Sequence, residues 1–401
     1  MKKIYETLDA INKTGWVPNI KVIQGVSSDP EVTIDGKKVL LLCSANYLGL
    51  ANDREVKNAM IEGIEQYGLH PTGSRLISGT QDIHLKLEKE VADFKKQESA
   101  MLFTTGTMAN IGTIPALMNL PLVSILSYLK LKFFSNGSHI FSDKLNHATI
   151  IDGCKLSKGK THVYKHIDMG DLEDKLKKVG KNDRKLIVSD GVFSMDGDIA
   201  PLPKLIELAK KYDAMLMIDD AHGTGVIGEK GGGISEYFNI SEGIDIHMGT
   251  FSKSFGLLGG FIAGNKKLID YLKISARTYI FSGALWGSIS FAVLKSFEIL
   301  KKDKERLNKL KKNSNYFRDG LKRIGYKVID GDTPIIPIFI GDEIKAIKIS
   351  EELLNRGILA PSVRYPAVDK GESRIRFSII STLTREQLDK TLNTLEIIKN
   401  H

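Results

Sequence analysis

Apolar and polar residues alternate along the chain with two different periods. Apolar residues recur at helical spacing in 84–97 and 202–213, whereas short uninterrupted apolar runs occupy 185–190, 214–220 and 259–264. The first pattern predicts amphipathic helices and the second predicts buried strands. Strands that alternate with helices favour a largely parallel, doubly wound α/β sheet with helices on both faces. In such a sheet, ligands bind beyond the carboxyl ends of the strands.

The pattern changes near residue 285. Two long charged helical stretches cover 286–325, and strand, helix, strand and helix patterns follow them to the C terminus. This order is typical of a smaller α+β unit. We therefore predict an N-terminal arm over residues 1–45, a large α/β domain over 46–285 and a small α+β domain over 286–401.

Composition narrows the classes of ligand. The 401 residues include 57 Lys and Arg against 48 Asp and Glu, a net charge of +9, which suits anionic partners such as phosphates, coenzyme A, nucleic acid or acidic lipid. The most basic run, 301–323, also contains acidic residues and leucines at helical spacing, so it indicates a solvated amphipathic helix. We therefore expect no nucleic-acid partner.

Cysteine usage and hydropathy bear on the compartment. Cys43 and Cys154 lack the spacing of a zinc site or a disulfide framework, which favours a reducing cytosol and no bound metal. The basic N-terminal stretch has no apolar core of the kind that signal peptides need. The most apolar segment, 120–134, is interrupted by Lys130 and Lys132 and is too short to cross a bilayer. It favours a buried helix or an interface element in a cytoplasmic protein.

The stretch MLMIDDAHGTGVIG places two carboxylates at the end of a predicted strand. Consecutive strand side chains point to opposite sides, so of Asp219 and Asp220 one can face a ligand while the other anchors the turn. A capping or turn-forming role alone is also compatible with either. Residues 223–228 match the GxGxxG dinucleotide fingerprint literally, but no convincing helix follows them, so we interpret these glycines as a tight loop.

Further residues suit a flat, phosphorylated ligand. Gly106 precedes a helical pattern, where free backbone N–H groups bind anions, although an ordinary helix cap is equally compatible. His147 can stack on a planar ring. Lys253 lies among small residues in GTFSKSFGLLGG, where Thr250 and Ser252 offer hydroxyls. With a carboxylate at a strand end, this set predicts pyridoxal 5′-phosphate (PLP), which forms a Schiff base with lysine and acts as an electron sink once its ring nitrogen is protonated.

Seven longer stretches resemble the α-oxoamine synthases, PLP enzymes of the aspartate aminotransferase fold (fold type I). They are NYLGL (46–50), TGSRLISGTQDIH (72–84), LNHATIIDGCKLSK (145–158), DGVFSMDGDIAPL (190–202), IDDAHGTGVIG (218–228), GTFSKSFG (249–256) and GESRIRFSI (371–379). They span nearly the whole chain. Within the family, YKHIDMGDLEDKL, ARTYIF and TPIIPIFIGD are most similar to 8-amino-7-oxononanoate synthases. GTQDIH is closer to 2-amino-3-ketobutyrate CoA ligases, and TGSR is shared with serine palmitoyltransferases.

The resemblance implies a reaction. A small amino acid condenses with an acyl-CoA thioester, with loss of CoA and CO₂, and L-alanine with a pimeloyl thioester is the first choice. It also implies a homodimer with active sites at the interface. A glycine C-acetyltransferase and a serine palmitoyltransferase are alternatives within the family. An aminotransferase or a non-catalytic PLP-fold protein is the alternative from another class, which VFSMDGD and the intact Lys253 disfavour.

Matching positions imply roles on the cofactor. Lys253 corresponds to the Schiff-base lysine, which also removes the Cα proton, and Asp219 corresponds to the partner of the ring nitrogen. His147 matches the histidine stacked on the ring. His222 and Ser194 match groups that bond the phenolic oxygen of the ring. Among these, the resemblance implies that Lys253, His147, Asp219 and His222 are catalytic.

Other matching positions concern the phosphate and the substrate. Gly106 and Thr107 match a backbone phosphate cup, and Thr250 matches a phosphate-binding hydroxyl. Arg376 matches the arginine that holds the substrate carboxylate. Asn46 corresponds to one of two polar residues that precede Tyr-Leu-Gly in the family.

The sequence also departs from the family pattern. Ala45 replaces the other polar residue before Tyr-Leu-Gly, and Thr107 stands where an aromatic residue is usual. Pro18 occupies the place of an expected arginine for the acyl substrate, and Ala367 removes a hydroxyl near the acyl site. The residues for PLP are intact. We therefore hypothesise that the chemistry is kept while the preference for acyl-CoA or amino acid has drifted.

Overall fold

The computed structural model describes residues 1–13, 20–119 and 137–400, so Pro18 and the apolar segment 120–134 lie outside the described residues. The strands are β1 (Ile23–Gln24), β2 (Glu31–Ile34), β3 (Lys37–Leu41), β4 (Ser99–Phe103), β5 (Ser138–Asp143), β6 (Lys160–Tyr164), β7 (Arg184–Asp190), β8 (Met215–Asp219), β9 (Ile246–Thr250), β10 (Gly260–Gly264), β11 (Ile335–Gly341), β12 (Ile358–Leu359), β13 (Ser362–Val363) and β14 (Ser373–Ser378). The helices are α1 (Lys2–Lys13), α2 (Arg54–Tyr67), α3 (Asp82–Lys95), α4 (Gly106–Met118), α5 (Ala148–Leu156), α6 (Met169–Leu176), α7 (Leu202–Lys211), α8 (Ile234–Tyr237), α9 (Lys266–Ser275), α10 (Arg277–Ile280), α11 (Gly287–Lys302), α12 (Lys304–Arg323), α13 (Glu343–Asn355) and α14 (Arg385–Asn400).

Within the part of the chain that the structure describes, seven strands form the central sheet in the order β4-β10-β9-β8-β7-β5-β6. Strand β10 runs antiparallel to both of its neighbours, and the other adjacent pairs are parallel. The apolar runs that predicted strands correspond to β7, β8 and β10, and the helical patterns in 84–97 and 202–213 correspond to α3 and α7. The predicted α/β class with a mainly parallel sheet is therefore confirmed.

Helices cover both faces of this sheet. Alternate residues of one strand enter two separate apolar clusters: Leu216 and Ile218 face the cluster that contains α3, α7 and α11, whereas Met217 faces the cluster that contains α4, α5 and α9. This alternation follows from the two-residue period of a strand. Burial on both faces explains why β7, β8, β9 and β10 read as nearly continuous apolar runs.

Two smaller sheets involve the ends of the chain. One has the order β1-β2-β3-β12, in which β12 is parallel to β3, and the other has the order β11-β14-β13. Helix α11 packs against α2 and α3 and buries Ala292, Val293 and Phe297 in the core of the large sheet. The arm over 1–45 and the boundary near residue 285 stay predictions. Within the described residues, no helix is long and apolar enough to span a membrane.

The residues of the GxGxxG match form a tight loop. Gly225 and Gly228 have φ angles of +78° and +89°, in the region that favours glycine, and the next helix, α8, begins only at Ile234. A dinucleotide fingerprint requires a helix to open at its glycines. The interpretation of these glycines as a loop is therefore confirmed.

Candidate active site

The carboxyl ends of three adjacent strands gather the predicted residues. Asp190 ends β7 and pairs in register with Asp219, which ends β8, while Thr250 ends β9. Lys253 follows β9 by three residues. Parallel strands present their carboxyl ends at the same edge of a sheet, which is where ligands bind in this architecture.

Lys253 is a shielded amine that lies among charges of both signs. Burial lowers the pKa of its ammonium group to about 8, the carboxylates of Asp219 and Asp190 oppose that fall, and Arg376 adds to it. Loss of water favours the neutral form of an amine. A lysine with this pKa has an appreciable unprotonated fraction near neutral pH, as a nucleophile or proton acceptor needs.

Asp219 and Asp220 serve opposite sides of the sheet, as the strand geometry predicted. Asp219 Oδ2 accepts a hydrogen bond from Asn110 Nδ2 at 2.7 Å. Asp220 Oδ2 instead pairs with Lys95 Nζ at 2.8 Å and also accepts from the backbone N–H of Ile234. Asp220 therefore anchors the glycine loop, and Asp219 remains on the side of Lys253.

His147 precedes α5 as its N-cap. Its backbone N–H donates to Asp190 Oδ2 at 2.6 Å, and its ring Nδ1 lies 2.9 Å from Thr149 Oγ1. Burial lowers the pKa of His147, the carboxylate of Asp219 opposes this and the charge of Lys253 adds to it. The imidazole is therefore held towards its neutral form, which can stack on a ring or donate one hydrogen bond.

His222 is a buried histidine with one aromatic partner. Its Nδ1 lies 2.7 Å from the hydroxyl of Tyr47. Burial holds the pKa of His222 well below its usual value, and the charges of Lys253 and Arg376 lower it further. His222 is therefore an uncharged hydrogen-bonding group on the same side of the sheet as Lys253.

The first turn of α4 forms a small cradle against β9 and β10. Thr105 Oγ1 caps the helix by accepting from Met108 N at 3.1 Å, while the N–H groups of Gly106 and Thr107 belong to the turn that has no intrahelical acceptor. A Cβ added to Gly106 would lie 3.3 Å from Thr250 Cβ. The glycine therefore lets the helix start approach Thr250, and their polar groups together suit an anion.

The cradle also contains two hydroxyl side chains, those of Thr250 and Ser252. Thr250 Oγ1 lies 2.9 Å from Ser252 Oγ and donates to the carbonyl of Gly259. A Cβ added to Gly260 would lie 2.7 Å from Gly106 N. Glycine at position 260 is therefore what allows β10 to pack directly on the backbone of the cradle.

The two residues assigned to the substrate, Arg376 and Asn46, form hydrogen bonds with other groups of the protein. Arg376 Nε donates to the carbonyl oxygen of Ser194, and its Nη1 donates to Ser378 Oγ at 2.8 Å. Both polar groups of the Asn46 side chain form hydrogen bonds with the backbone. Nδ2 donates to the carbonyl of Ser28 at 3.0 Å, and Oδ1 accepts from Ala51 N at 3.1 Å. Asn46 shapes its own loop, and substrate contact by Asn46 and Arg376 stays a prediction.

Three residues at the site escaped the sequence reasoning. Tyr47 bonds His222, Asn110 bonds Asp219, and Asp190 bonds the backbone of His147. Burial raises the pKa of Asp190 well above its usual value, and the charge of Asp219 raises it further. Tyr47 lies in NYLGL and Asp190 is the first residue of DGVFSMDGDIAPL. The sequence therefore identifies both stretches but assigns no role to these two residues.

A cavity of about 660 Å³ opens beside His147 and Ser194. His166 lies in its wall and bridges two carboxylates, with Nδ1 2.9 Å from Asp143 Oδ1 and Nε2 2.7 Å from Asp198 Oδ2. Burial lowers the pKa of His166, but these two hydrogen bonds outweigh it and raise the pKa to about 9. His166 is therefore a charged residue that joins two segments by hydrogen bonds. One segment is the end of β5 at Asp143, shortly before His147, and the other is the turn at Asp198 that follows Ser194.

The residues present fit PLP. The helix start offers backbone N–H donors for a phosphate beside the hydroxyls of Thr250 and Ser252. Asp219 offers a carboxylate for a ring nitrogen, and Lys253 offers an amine with a lowered pKa. His147 and His222 supply two neutral imidazoles. Among the described residues, no group of His, Cys, Asp and Glu side chains could hold a metal ion.

Comparisons with known proteins agree with this chemistry. Residues 37–395 match the family model for aminotransferase class I and II. The chain is 44% identical to the 8-amino-7-oxononanoate synthase of Petrotoga mobilis, over 99% of this chain and 97% of that protein. It is 46% identical to the synthase of the same name from Thermosipho melanesiensis, over 97% of this chain and 95% of that protein.

A solved structure resembles the whole chain. The serine palmitoyltransferase from S. paucimobilis with bound PLP–myriocin aldimine matches with a TM-score of 0.90 and 30% identity, covering 99% of this chain and 97% of that chain. That structure contains PLP, the cofactor that the residues here fit.

Proposed function

Because the chain belongs to the aminotransferase class I and II family, and within it to the α-oxoamine synthases, we propose that it is a PLP-dependent acyltransferase. It condenses a small amino acid with an acyl-CoA thioester and releases CoA and CO₂. L-Alanine with a pimeloyl thioester is the first candidate pair, since the relatives named above are 8-amino-7-oxononanoate synthases. The observation that carries the proposal is Lys253, whose lowered pKa and position beside Asp219 suit both cofactor attachment and proton removal.

PLP supplies an electron sink for the charge that develops when a proton leaves Cα of the amino acid. Lys253 Nζ would hold the cofactor covalently and then, as a free amine, accept that proton. Its pKa of about 8 places it close to the working pH, where a proton acceptor is most effective. Lowering the pKa by burial is therefore part of the function of this lysine.

Asp219 would pair with the ring nitrogen and hold its proton. The carboxylate is fixed by two neutral donors, Asn110 Nδ2 at 2.7 Å and the backbone N–H of Ala221 at 3.1 Å. Neutral donors orient a carboxylate without cancelling its charge. His147 would lie against the ring, and His222 with Ser194 would bond its phenolic oxygen.

The cradle at α4 would hold the phosphate through backbone N–H groups of Gly106 and Thr107 and through the hydroxyls of Ser252 and of Thr250, whose hydrogen would turn from the carbonyl of Gly259 to the phosphate. Arg376 would hold the carboxylate of the amino acid, and Asn46 would act through the loop that it shapes. The basic balance of the chain, a net charge of +9, suits coenzyme A.

A homodimer is part of this proposal. Ile77 is 84% exposed and Phe281 is 71% exposed, and both line a shallow cavity with Leu76. Exposed apolar side chains that cluster in this way are typical of a surface that another protein covers. A second copy is the expected partner, since most oligomers are symmetric assemblies of identical chains. We place the enzyme in the cytoplasm, in keeping with its two free cysteines.

A second candidate within the family is a serine palmitoyltransferase, which the TM-score of 0.90 favours. A panel of L-alanine, glycine and L-serine, each with acetyl-, pimeloyl- and palmitoyl-CoA, separates the candidates by release of free thiol and of CO₂. Thiol release with L-alanine and pimeloyl-CoA as the best pair would support the first candidate and refute a drift of specificity. Production of a keto acid without thiol release would indicate an aminotransferase, and no turnover with PLP bound would indicate a non-catalytic protein.

A further inference from the structure

A line of hydrogen bonds joins Asp219 to His147. Asn110 Nδ2 donates to Asp219 Oδ2 at 2.7 Å and to Thr149 Oγ1 at 2.9 Å, and Thr149 Oγ1 lies 2.9 Å from His147 Nδ1. Asn110 and Asp219 are both buried, so water does not compete for the hydrogen bond between them, whereas the contact of Thr149 with His147 lies at the exposed end of the line. The line crosses from β8 through α4 to α5.

The direction of each hydrogen bond follows from which of its two groups can donate a hydrogen and which can only accept one. A carboxylate only accepts, so Asn110 must turn its NH₂ group to Asp219, and the second hydrogen of that group goes to Thr149 Oγ1. The hydroxyl hydrogen of Thr149 is then available to His147 Nδ1. The backbone N–H of Thr149 also donates to Nδ1, at 3.3 Å. Two donors converge on this nitrogen, which must therefore carry no hydrogen.

We propose that Thr149 is a positioning residue that fixes His147 as the neutral tautomer with its hydrogen on Nε2. In that state Nε2 donates a hydrogen bond to an acceptor oxygen of a ligand and cannot take up a proton. His147 then works as an uncharged donor. Proton removal is left to Lys253, a consequence that rests on the proposed function, whereas the tautomer itself does not.

The charges around His147 agree with this assignment. Asp219 favours protonation of the ring, Lys253 opposes it, and burial opposes it most. Asp190 is engaged by the backbone N–H of His147 and not by the ring. His222 also lies close enough for the charge of His147 to lower its pKa. The two donors at Nδ1 act in the same direction as burial, because protonation would place a hydrogen where both of them point.

The test compares Thr149→Val, which removes the hydroxyl, with Thr149→Ser, which keeps it. Thr113→Val is the matched control, since Thr113 lies on the same helix as Asn110 and its buried hydroxyl has no hydrogen-bond partner among the described residues. The readout is the ¹⁵N spectrum of [¹⁵N]histidine-labelled protein, with and without PLP, in which His147→Asn identifies the ring signals. It reports the tautomer independently of catalysis.

Wild type, Thr149→Ser and Thr113→Val are expected to show a bare Nδ1 and a protonated Nε2. Thr149→Val is expected to show both tautomers, with the pKa of His147 raised by about half a unit to one unit, the value of one neutral hydrogen bond. If Thr149→Val does not fold, Thr149→Ala carries the same expectation. A hydrogen on Nδ1 in wild type, or a Thr149→Val spectrum equal to that of wild type, would overturn the proposal.

Turnover adds a second readout. The acid limb of kcat/KM against pH is expected to move to higher pH in Thr149→Val and to return in Thr149→Ser. A limb that stays in place would contradict the role of Thr149 in the reaction. If wild type turns over no thioester while the spectra appear as expected, the proposed function fails and the tautomer stands.

Discussion

Two carboxylates that are neighbours in the chain face different surroundings. Asp220 is closed within the protein: its pair with Lys95 has both side chains 2% exposed, and Thr224 Oγ1 adds a third contact at 3.1 Å. Asp219 receives hydrogen bonds from the neutral groups of Asn110 and Ala221, and no cation of the described residues forms an ion pair with it. A charge neutralised by a bonded cation serves stability, whereas a charge held only by neutral donors is left for a ligand.

The largest expected effect lies on the Asp219 side. Lys253→Ala should lower acyl transfer by about 10³-fold or more, because it removes the residue that we propose both to attach PLP and to accept the proton. The melting temperature of the PLP-free protein should stay within a few degrees, because the substitution breaks no ion pair among the described residues and also removes the cost of burying the ammonium group. Free-thiol release and thermal unfolding measure the two effects, with the exposed Lys204→Ala as control. Substantial activity in Lys253→Ala would contradict the assignment of this lysine.

The next effect lies on the Asp220 side. Asp220→Asn should lower the free energy of unfolding by about 3–5 kcal/mol, since it leaves the ammonium of Lys95 buried without a counter-charge. The matched neighbour Asp219→Asn should change stability by less than about 1 kcal/mol and should mainly lower turnover. Urea denaturation of the PLP-free proteins compares them. An equal loss of stability in Asp220→Asn and Asp219→Asn would show that the two carboxylates do not differ in what they contribute to stability.

His166 extends the comparison to a charge that responds to pH. Its pKa is about 9 in the folded protein, above the usual value of 6.5, because hydrogen bonds with Asp143 and Asp198 outweigh the effect of burial. The stabilisation is therefore fully present below about pH 6.5 and is lost as the pH rises through about 9. His166→Gln should cost about 2 kcal/mol at pH 6 after allowance for partial exposure, and nearly nothing at pH 10.

Urea denaturation of wild type and His166→Gln across this range gives the difference directly. A pH-independent difference would show that His166 acts through packing and not through its charge. Glu207→Gln, at a position whose side chain is 59% exposed, provides the control.

The smallest effect belongs to an ion pair at the surface. Lys204 and Glu207 are 2.7 Å apart, with side chains 64% and 59% exposed. Lys204→Met should change the free energy of unfolding by less than about 0.5 kcal/mol, because water screens the pair. A cost comparable to that of Asp220→Asn would show that burial does not decide what an ion pair contributes here.

Local patterns were sufficient for the sheet and for part of the site. Strand β8 is an apolar run that ends in two acids, so Asp219 could be placed at a carboxyl end and set on the opposite side from Asp220. The small residues around Lys253 similarly indicated that a ligand could come close to this lysine. The phosphate cradle was only half predictable: the helix start at Gly106 was visible, but the contact of Gly106 with Thr250 depends on the pairing of β9 with β10.

Residues that act through distant partners left no such signal. Tyr47 is separated from His222 by 175 residues and Asn110 from Asp219 by 109. Tyrosine and asparagine at buried positions have many ordinary reasons to be there. Asp190 joined the site through its register with Asp219, which no periodicity within 185–190 encodes. All the roles assigned to the site residues, on the cofactor and on the substrate alike, stay predictions.

The reversed strand β10 has a consequence for how the molecule is made. Among the described strands, β4 pairs only with β10, whose Gly260 also abuts the start of α4. A ribosome delivers residues 99–103 long before residues 260–264, and pairings between such distant segments form slowly. We therefore expect the cradle to close late in folding, and until then both edges of β4 are unpaired, which exposes an apolar strand to aggregation or to chaperones.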